Sequence, residues 1–422
     1  MGKRNGAGRP RHTGWHAPTD VERALYDARE RGDWPAYLDT LGSTWLYYAV
    51  PRGPYDSLGQ VDRYAYKDRR SGRYCCAVFT HGMLPAPQSD PVYLRRRLTD
   101  LAADWGNDLW WLAVNPGSPC EAYFPGTLDS RVTWRQHGER AWRSQRHTLR
   151  TLATGAPLHG PVAHGLACGA LLSVNNGSLW NAMAWHGTGY GSEVRRLRDA
   201  WGIHSRPDWM HRQYELLEAG QHDSTWEFVL RVRRELADAD DGCDADGEGG
   251  ALSSAAGALR WREATERAVR EREGVQTAGP TAPGGSTERA GSAVDRRVHA
   301  LQRVISRIAR YESRFRADGL LPERGYVRSV LAWDYGRAAK MARWGLGARY
   351  CELPEAEHAV VRAGELSRRV YGTWEDFSAG FVLGRCLHFD NEEFGDWYTD
   401  MLDAHRILTT HPGSPWRNLP FT

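Results

Sequence analysis

The pattern of apolar residues changes near residue 160, and this change most restricts how the chain can fold. Before it, three short stretches are rich in aromatic and β-branched residues and end at Pro or Gly, which is typical of strands. They read TWLYYAVP, RYCCAVFTHG and LWWLAVNPG. The stretches TDVERALYDARERGDWPAYLDTL and DPVYLRRRLTDLAADWG carry apolar residues at helical spacing instead. This mixture predicts a small α+β domain over residues 18–150.

Helical periodicity takes over after residue 160 and predicts a mostly α-helical domain over residues 160–422. Residues 238–293 interrupt it with Gly, Ala, Asp, Ser and Pro, which bury too little apolar surface to order a chain. We therefore expect a disordered insertion there, with a short helix around Trp261. Residues 1–17 are rich in Gly, Arg and Pro and are expected to form a flexible basic tail. The predicted fold class is multidomain, α+β followed by helical.

Composition narrows the class of function. A chain of 422 residues is long enough for two domains. Its 55 basic and 52 acidic residues leave a net charge of +3, so extensive nucleic-acid binding is not expected. The seven cysteines form no C-x-x-C motif, which favours reduced thiols in the cytoplasm. The start of the chain has no apolar secretory region and no stretch is long enough to span a membrane.

The stretch AWDYGRAAKMARWG carries the most informative charges. Its apolar residues occupy two adjacent sides of a helix, so the helix is expected to be buried nearly all round. Asp334 and Arg337 lie three residues apart, and pairing is almost forced because an unpaired buried charge is very unfavourable. Two interpretations stay open. In the first, Asp334 and Arg337 neutralise each other within a core, with help from Arg385 or Glu375. In the second, the arginines bind an anion in a cleft and Asp334 acts as a general base.

The second half of the chain resembles a known family. The segments SVLAWDYGRAAKMARWGLGARYCELPEAE, YGTWEDFSAGFVLGRC and SPWRNLPF are similar to a bacterial domain of unknown function typified by YbeU and YbeR. The shared pattern is W-D-x-x-R, then Ser/Thr-Trp-x-x-Phe, then Gly-Arg. In this chain it falls on Trp333, Asp334, Arg337, Trp374, Phe377, Gly384 and Arg385. The resemblance covers about residues 175–422 and implies no established reaction.

The first half resembles the N-terminal domain of the SseB-like proteins, which enhance serine sensitivity. The segments that carry this resemblance are STWLYYAVP, VFTHGML and WWLAVNPGSP. They are short, and the resemblance implies a domain type without any chemistry.

We therefore expect an intracellular bacterial interaction or regulatory module that binds a protein partner. The alternative is an enzyme, hydrolytic or directed at phosphate, with a cleft in the helical domain. Its candidate catalytic residues are Asp334, Arg337 and Arg385, and its candidate binding residues are Trp333, Trp374 and Glu375. An arginine stripe within residues 294–316 could contact a phosphate backbone, but the small net charge makes nucleic acid an unfavoured partner. No metal-ligand motif is present, so we expect neither a metal nor a cofactor.

Overall fold

The computed structural model describes residues 14–86, 88, 90–143, 146–183, 189–241, 254–273 and 285–422. An α+β region with small sheets comes first, and a mostly helical region follows it. The expected fold class is thereby confirmed. The flexible tail expected for residues 1–17 falls almost entirely outside the described residues.

Two small sheets form the β part of the first region. The strands are β1 (Leu46–Pro51), β2 (Tyr66–Lys67), β3 (Tyr74–Val78), β4 (Pro91–Arg96), β5 (Trp111–Val114) and β6 (Ala122–Pro125). β1 pairs with β4 in antiparallel register, with Tyr48 opposite Leu94. The other sheet has the order β2-β3-β5-β6, and only its central pair, β3 and β5, is parallel. Reciprocal backbone hydrogen bonds of 2.8 Å between Tyr47 and Phe79 connect the two sheets.

Helices surround these sheets and form nearly all of the second region. The first region contains α1 (Asp20–Arg31), α2 (Trp34–Gly42), α3 (Arg52–Leu58), α4 (Leu98–Ala103) and α5 (Leu128–Ala141). The second contains α6 (Gly160–Cys168), α7 (Ala170–Asn176), α8 (Tyr190–Trp201), α9 (Arg206–Leu217), α10 (Ser224–Asp241), α11 (Ala255–Arg272), α12 (Gly285–Ala317), α13 (Leu331–Gly347), α14 (Leu353–Arg368), α15 (Trp374–Phe389), α16 (Asp396–Thr410) and α17 (Pro415–Asn418).

The helix predicted for DPVYLRRRLTDLAADWG is wrong in its first half. That half is strand β4, and only Leu98–Ala103 is helical. Val92 and Leu94 point into the first core, and pairing with β1 buries them. A long-range strand pairing has therefore overridden a local pattern that also fits a helix.

The insertion predicted over residues 238–293 is ordered in part. α11 lies inside it and packs on α10 and α12. Trp261 is fully buried, and its Nε1 donates a 2.7 Å hydrogen bond to the Val229 carbonyl. One large aromatic side chain thus fixes a helix whose neighbouring sequence is poor in apolar residues. Residues 242–253 and 274–284 of the insertion lie outside the described residues.

Each region has its own hydrophobic core. One core consists of buried apolar residues between positions 25 and 134 together with Tyr190. The other consists of buried apolar residues between positions 163 and 421. α13 lies at the centre of the second core and packs against α6, α7, α8, α9, α14 and α15. A Cβ at Gly336 would lie 2.6 Å from Phe381 Cε2, so glycine is required for α15 to approach this closely.

Two buried histidines make the helical core sensitive to acid. His164 Nε2 donates to the Phe421 carbonyl at 2.8 Å, and His405 Nδ1 lies 2.9 Å from Ser378 Oγ. Burial lowers the pKa of each imidazole to about 4. The unfolded chain therefore binds more protons than the folded chain between pH 6.5 and about 4, so the free energy of unfolding decreases as pH falls through this range.

We predict that the double variant His164→Gln/His405→Gln flattens this pH dependence. Each histidine accounts for up to about 3 kcal/mol of the stability lost by pH 4, because one pKa unit corresponds to about 1.4 kcal/mol. Urea unfolding between pH 7 and pH 4 measures the slope. The control is His211→Gln on an exposed face of α9, which should retain the wild-type slope; an unchanged slope in the double variant would contradict the prediction.

Candidate functional site

A row of four charged residues runs along the buried helix α13. Asp334, Arg337, Lys340 and Arg343 are spaced three residues apart, so consecutive members lie close on the helix surface. Their exposed fractions are 0, 7, 3 and 8%. Burying four charges on one helix is very unfavourable unless each is compensated. The partners of these four side chains therefore decide where a ligand could bind.

Asp334 and Arg337 satisfy each other, as the sequence predicted. Asp334 Oδ1 accepts a hydrogen bond from Arg337 Nη2, while its Oδ2 accepts from His222 Nδ1 at 2.9 Å and from the Gln221 amide at 3.2 Å. Arg337 Nε also donates to the Trp333 carbonyl at 3.1 Å. Burial lowers the pKa of Arg337, and the adjacent Asp334 opposes that shift. Because both carboxylate oxygens are engaged, Asp334 is poorly placed to act as a general base.

Arg385 approaches the same group without joining it. Its guanidinium carbon lies 5.8 Å from the Trp333 ring centroid, on which Arg337 also packs at 4.1 Å. Arg385 Nε donates to the Trp397 carbonyl at 3.3 Å rather than to Asp334. The structure thus brings Trp333, Arg337 and Arg385 together through ring contacts, not through a shared carboxylate.

Trp374 and Glu375 lie in another environment. The Trp374 ring stacks on Trp416 with centroids 5.5 Å apart, and its Nε1 donates to the Leu419 carbonyl at 2.9 Å. Glu375 is exposed in the first turn of α15. The contacts of Trp374 therefore hold the C-terminal segment of the chain in place, and none of its described partners belongs to the Asp334 group.

Lys340 and Arg343, the second half of the row, face a cavity of about 120 Å³ between the α+β region and the helical region. Its lining comes from β1, β4, the segment after α5, the turn after α7, α8 and α13. The basic side chains of the lining are His81, Arg95, Arg150, Arg196, Lys340 and Arg343. Among the described residues of the lining, Glu193 is the acidic one, and it is already paired with Arg196 at 2.6 Å. Positive charge therefore dominates the cavity.

Lys340 and Arg343 are held by neutral groups. Lys340 Nζ lies 3.2 Å from Ser173 Oγ and 3.0 Å from Ser178 Oγ. Arg343 donates to the Leu179 carbonyl at 2.6 Å, to the Trp180 carbonyl at 3.3 Å, and to Ser173 Oγ at 3.2 Å. Within the part of the chain that the structure describes, neither cation has a carboxylate within 4.0 Å. The carboxylate of Glu193 therefore acts on Lys340 and Arg343 only from a distance, without an ion pair to either.

The electrostatics reflect this imbalance. Burial lowers the pKa of Lys340 well below its usual value, the guanidinium groups of Arg343 and Arg196 lower it further, and Glu193 opposes them. Burial also lowers the pKa of Arg343 to about 10. In both side chains burial is the main cause of the shift, because it disfavours the charged form. An anion in the cavity would reverse that imbalance, so the arrangement is suited to bind one.

Sequence reasoning missed Lys340 and Arg343, although one signal was available. Lys3, Lys67 and Lys340 are the lysines of a chain that contains 52 arginines. A lysine in the middle of a helix otherwise supplied with arginines is therefore unusual. Since arginine is always charged and lysine can lose its proton when buried, this choice points to chemistry that arginine cannot perform.

Comparisons with known proteins identify the helical part of the chain. A family model described as "Protein of unknown function (DUF1266)" matches residues 196–421, which is more than half of the chain. No curated protein and no solved structure gives a significant match. The match confirms the expectation that the helical part is a domain of unknown function. No named family matches the N-terminal part, so the SseB-like domain over residues 18–150 stays a prediction.

Metal centres and membrane-spanning helices are two further features to consider in the described ranges. No group of three or more His, Cys, Asp or Glu side chains there could hold a metal ion. Likewise, none of the helices in those ranges combines the length and apolar character needed to cross a bilayer.

We predict that Asp334→Asn destabilises the protein by about 3 kcal/mol or more, because it leaves the buried Arg337 without its counter-charge. The matched control is Asp403→Asn, which removes the carboxylate of an exposed pair with Arg406 and should change the free energy of unfolding by less than about 1 kcal/mol. Urea unfolding compares the two variants. Similar small losses in both would contradict the structural role of Asp334.

Lys340→Met has the opposite expected effect. Methionine fills nearly the same volume without a charge, and Ser173 Oγ keeps a 3.1 Å hydrogen bond to the Gly169 carbonyl. We therefore predict that the ligand-free protein gains about 1–2 kcal/mol of stability. The control Lys67→Met alters an exposed residue and should leave the free energy of unfolding unchanged. A loss of stability in Lys340→Met would show that the buried amine is not a site of strain.

Proposed function

The chain belongs to the DUF1266 family, and we propose that it is a regulatory module that binds a small anion in the cavity between its α+β and helical regions. The carrying observation is that Lys340 and Arg343 are buried beside this cavity with neutral partners alone. Natural proteins rarely bury a cation without a counter-charge. An anionic ligand would supply the missing charge.

The shape of the cavity supports a ligand of few atoms. Its volume of about 120 Å³ is close to that of an engineered protein cavity of about 150 Å³ that binds one benzene molecule. This suits an inorganic phosphate or a short carboxylate better than a nucleotide. Several guanidinium groups around one small cavity also match the geometry by which arginine binds carboxylate and phosphate.

A regulatory role follows from where the cations come from. Arg95 belongs to strand β4 of the α+β region, whereas Arg343 belongs to the central helix of the helical region. An anion that contacts both would favour one relative placement of the two regions, since a ligand stabilises the state that binds it more tightly. The consequence would be a changed surface for a protein partner. We propose that such a partner exists and that the module works in the cytoplasm, which the buried free thiols of the described cysteines support.

An enzyme based on Asp334 is less well supported. The carboxylate that would act as its base already accepts hydrogen bonds from Arg337, His222 and the Gln221 amide. The proposal therefore moves the anion-binding role of the arginines from Arg337 and Arg385 to the cavity beside Lys340.

We predict that inorganic phosphate or lactate raises the melting temperature in a saturable manner, relative to chloride at equal ionic strength. At a concentration 100 times the dissociation constant, the gain in stability is about 2.7 kcal/mol. Arg95→Gln and Arg150→Gln remove cations that line the cavity and should weaken the response at least about tenfold, since a charge-assisted hydrogen bond contributes about 1.5–3 kcal/mol.

The matched control is Arg198→Gln on α8, which removes an exposed guanidinium paired with Asp199 and should retain the full response. The proposal is overturned if neither anion stabilises the protein beyond chloride, or if the Arg95 and Arg150 variants respond as the wild type does.

A further inference from the structure

Lys340 has a property that simple anion binding does not require. A fixed positive charge at this position would be supplied equally well by arginine, which the chain uses 52 times. Lysine instead supplies a primary amine, which acts as a nucleophile once it loses its proton. This amine lies beside the cavity, within hydrogen-bonding distance of the hydroxyl groups of Ser173 and Ser178.

We propose that Lys340 forms an imine with the carbonyl carbon of a small 2-oxo acid whose carboxylate is held by the arginines of the cavity. This inference rests on the proposed function, because the same guanidinium groups that bind the anion would place its carbonyl next to the amine. A short 2-oxo acid contains few non-hydrogen atoms, so it is of the size that the cavity favours.

The chemistry balances without any further reactant. The lone pair of Nζ attacks the carbonyl carbon and forms the C–N bond, while the electrons of the C=O double bond move to oxygen. The nitrogen loses a proton and the oxygen gains one, which gives a carbinolamine. The nitrogen lone pair then forms the C=N bond as the hydroxyl leaves carbon, and the remaining N–H proton joins the hydroxyl to give water. Amine and carbonyl thus become imine and water, and nothing is oxidised or reduced.

The surroundings of Nζ suit each step. Burial and the nearby guanidinium groups lower the pKa of Lys340, which favours the uncharged and therefore nucleophilic amine. Ser178 Oγ, 3.0 Å from Nζ, is close enough to pass a proton between nitrogen and oxygen. Glu193 also lines the cavity, where it is paired with Arg196. The carboxylate of the 2-oxo acid would pair with the guanidinium groups of the lining, which stay charged, while the Lys340 amine reacts in its uncharged form.

Packing offers a competing explanation for a lysine at this position. A Cβ at Gly169 would lie 3.4 Å from both Cγ and Cδ of Lys340, so the lysine stem fits closely against α7 and its preceding glycine. A lysine chosen for shape alone would bind anions but would not react with a carbonyl. The two explanations therefore differ in the covalent adduct.

Reductive trapping tests the proposal on the full-length protein. The protein is incubated with pyruvate and sodium cyanoborohydride near neutral pH, and peptide mass spectrometry locates the adduct. We expect one reduced pyruvate adduct at Lys340, formed at least about tenfold faster than at the exposed Lys67, because the arginines of the cavity would hold the carbonyl next to Nζ and make the reaction effectively intramolecular. Lactate, which has a hydroxyl in place of the carbonyl, should slow labelling by competition and form no adduct.

Two variants and a neutral carbonyl provide the controls. Lys340→Met should fold and show no adduct beyond the background at Lys3, Lys67 and the amino terminus. Arg95→Gln leaves the amine in place but weakens the anion contacts, so it should slow labelling by pyruvate at least about tenfold. Acetone, which has a carbonyl without a carboxylate, should label Lys340 much more slowly than pyruvate does.

The outcomes separate this inference from the proposed function. Stabilisation by lactate or phosphate without an adduct at Lys340 overturns the imine and leaves anion binding intact. Absence of both stabilisation and adduct overturns both. Labelling of Lys67 as fast as Lys340, or equal labelling by acetone and pyruvate, also overturns the imine, since either result would show general amine reactivity.

Discussion

Burial of α13 on every side is the constraint on which the helical region depends. Six helices pack around α13, and all of its residues from Ala332 to Gly347 except Trp344 are buried. Such a helix has no solvated face on which to place a charge, yet it carries Asp334, Arg337, Lys340 and Arg343. Each charge must therefore find its compensation inside the protein or in something that binds to it.

The two halves of that row are compensated in different ways. At the N-terminal half, the Asp334 carboxylate accepts hydrogen bonds from Arg337, His222 and a backbone amide, so its negative charge is compensated within the protein. At the C-terminal half, hydroxyl and carbonyl oxygens hold Lys340 and Arg343, and these carry dipoles rather than negative charge. The first arrangement offsets the cost of burying Asp334 and Arg337. The second leaves a positive excess beside a cavity, which a purely structural role does not explain.

Much of the fold could be predicted from local patterns, since strands β1, β3 and β5 and most helices follow the periodicity of their residues. The helical pattern concealed strand β4, because its burial comes from pairing with β1 some 40 residues earlier in the chain. The Asp334–Arg337 pair could be predicted because it depends only on a spacing of three residues along one helix. The cavity could not, since Arg95, Arg150, Ser178 and Lys340 meet only after both regions have folded.

The α+β region and the helical region each contribute cations to the lining of the cavity, so an anion bound there would contact both regions. Arg196, Lys340 and Arg343 lie within the residues that the family model matches, whereas Arg95 and Arg150 precede them. In the ligand-free protein these cations repel one another across the junction, and repulsion within a poorly solvated cavity is stronger than in water. A bound anion converts that repulsion into attraction from both sides at once. Occupancy of the cavity would therefore act most strongly on the junction itself, and under the proposed regulatory role that is the place from which a change would reach a partner.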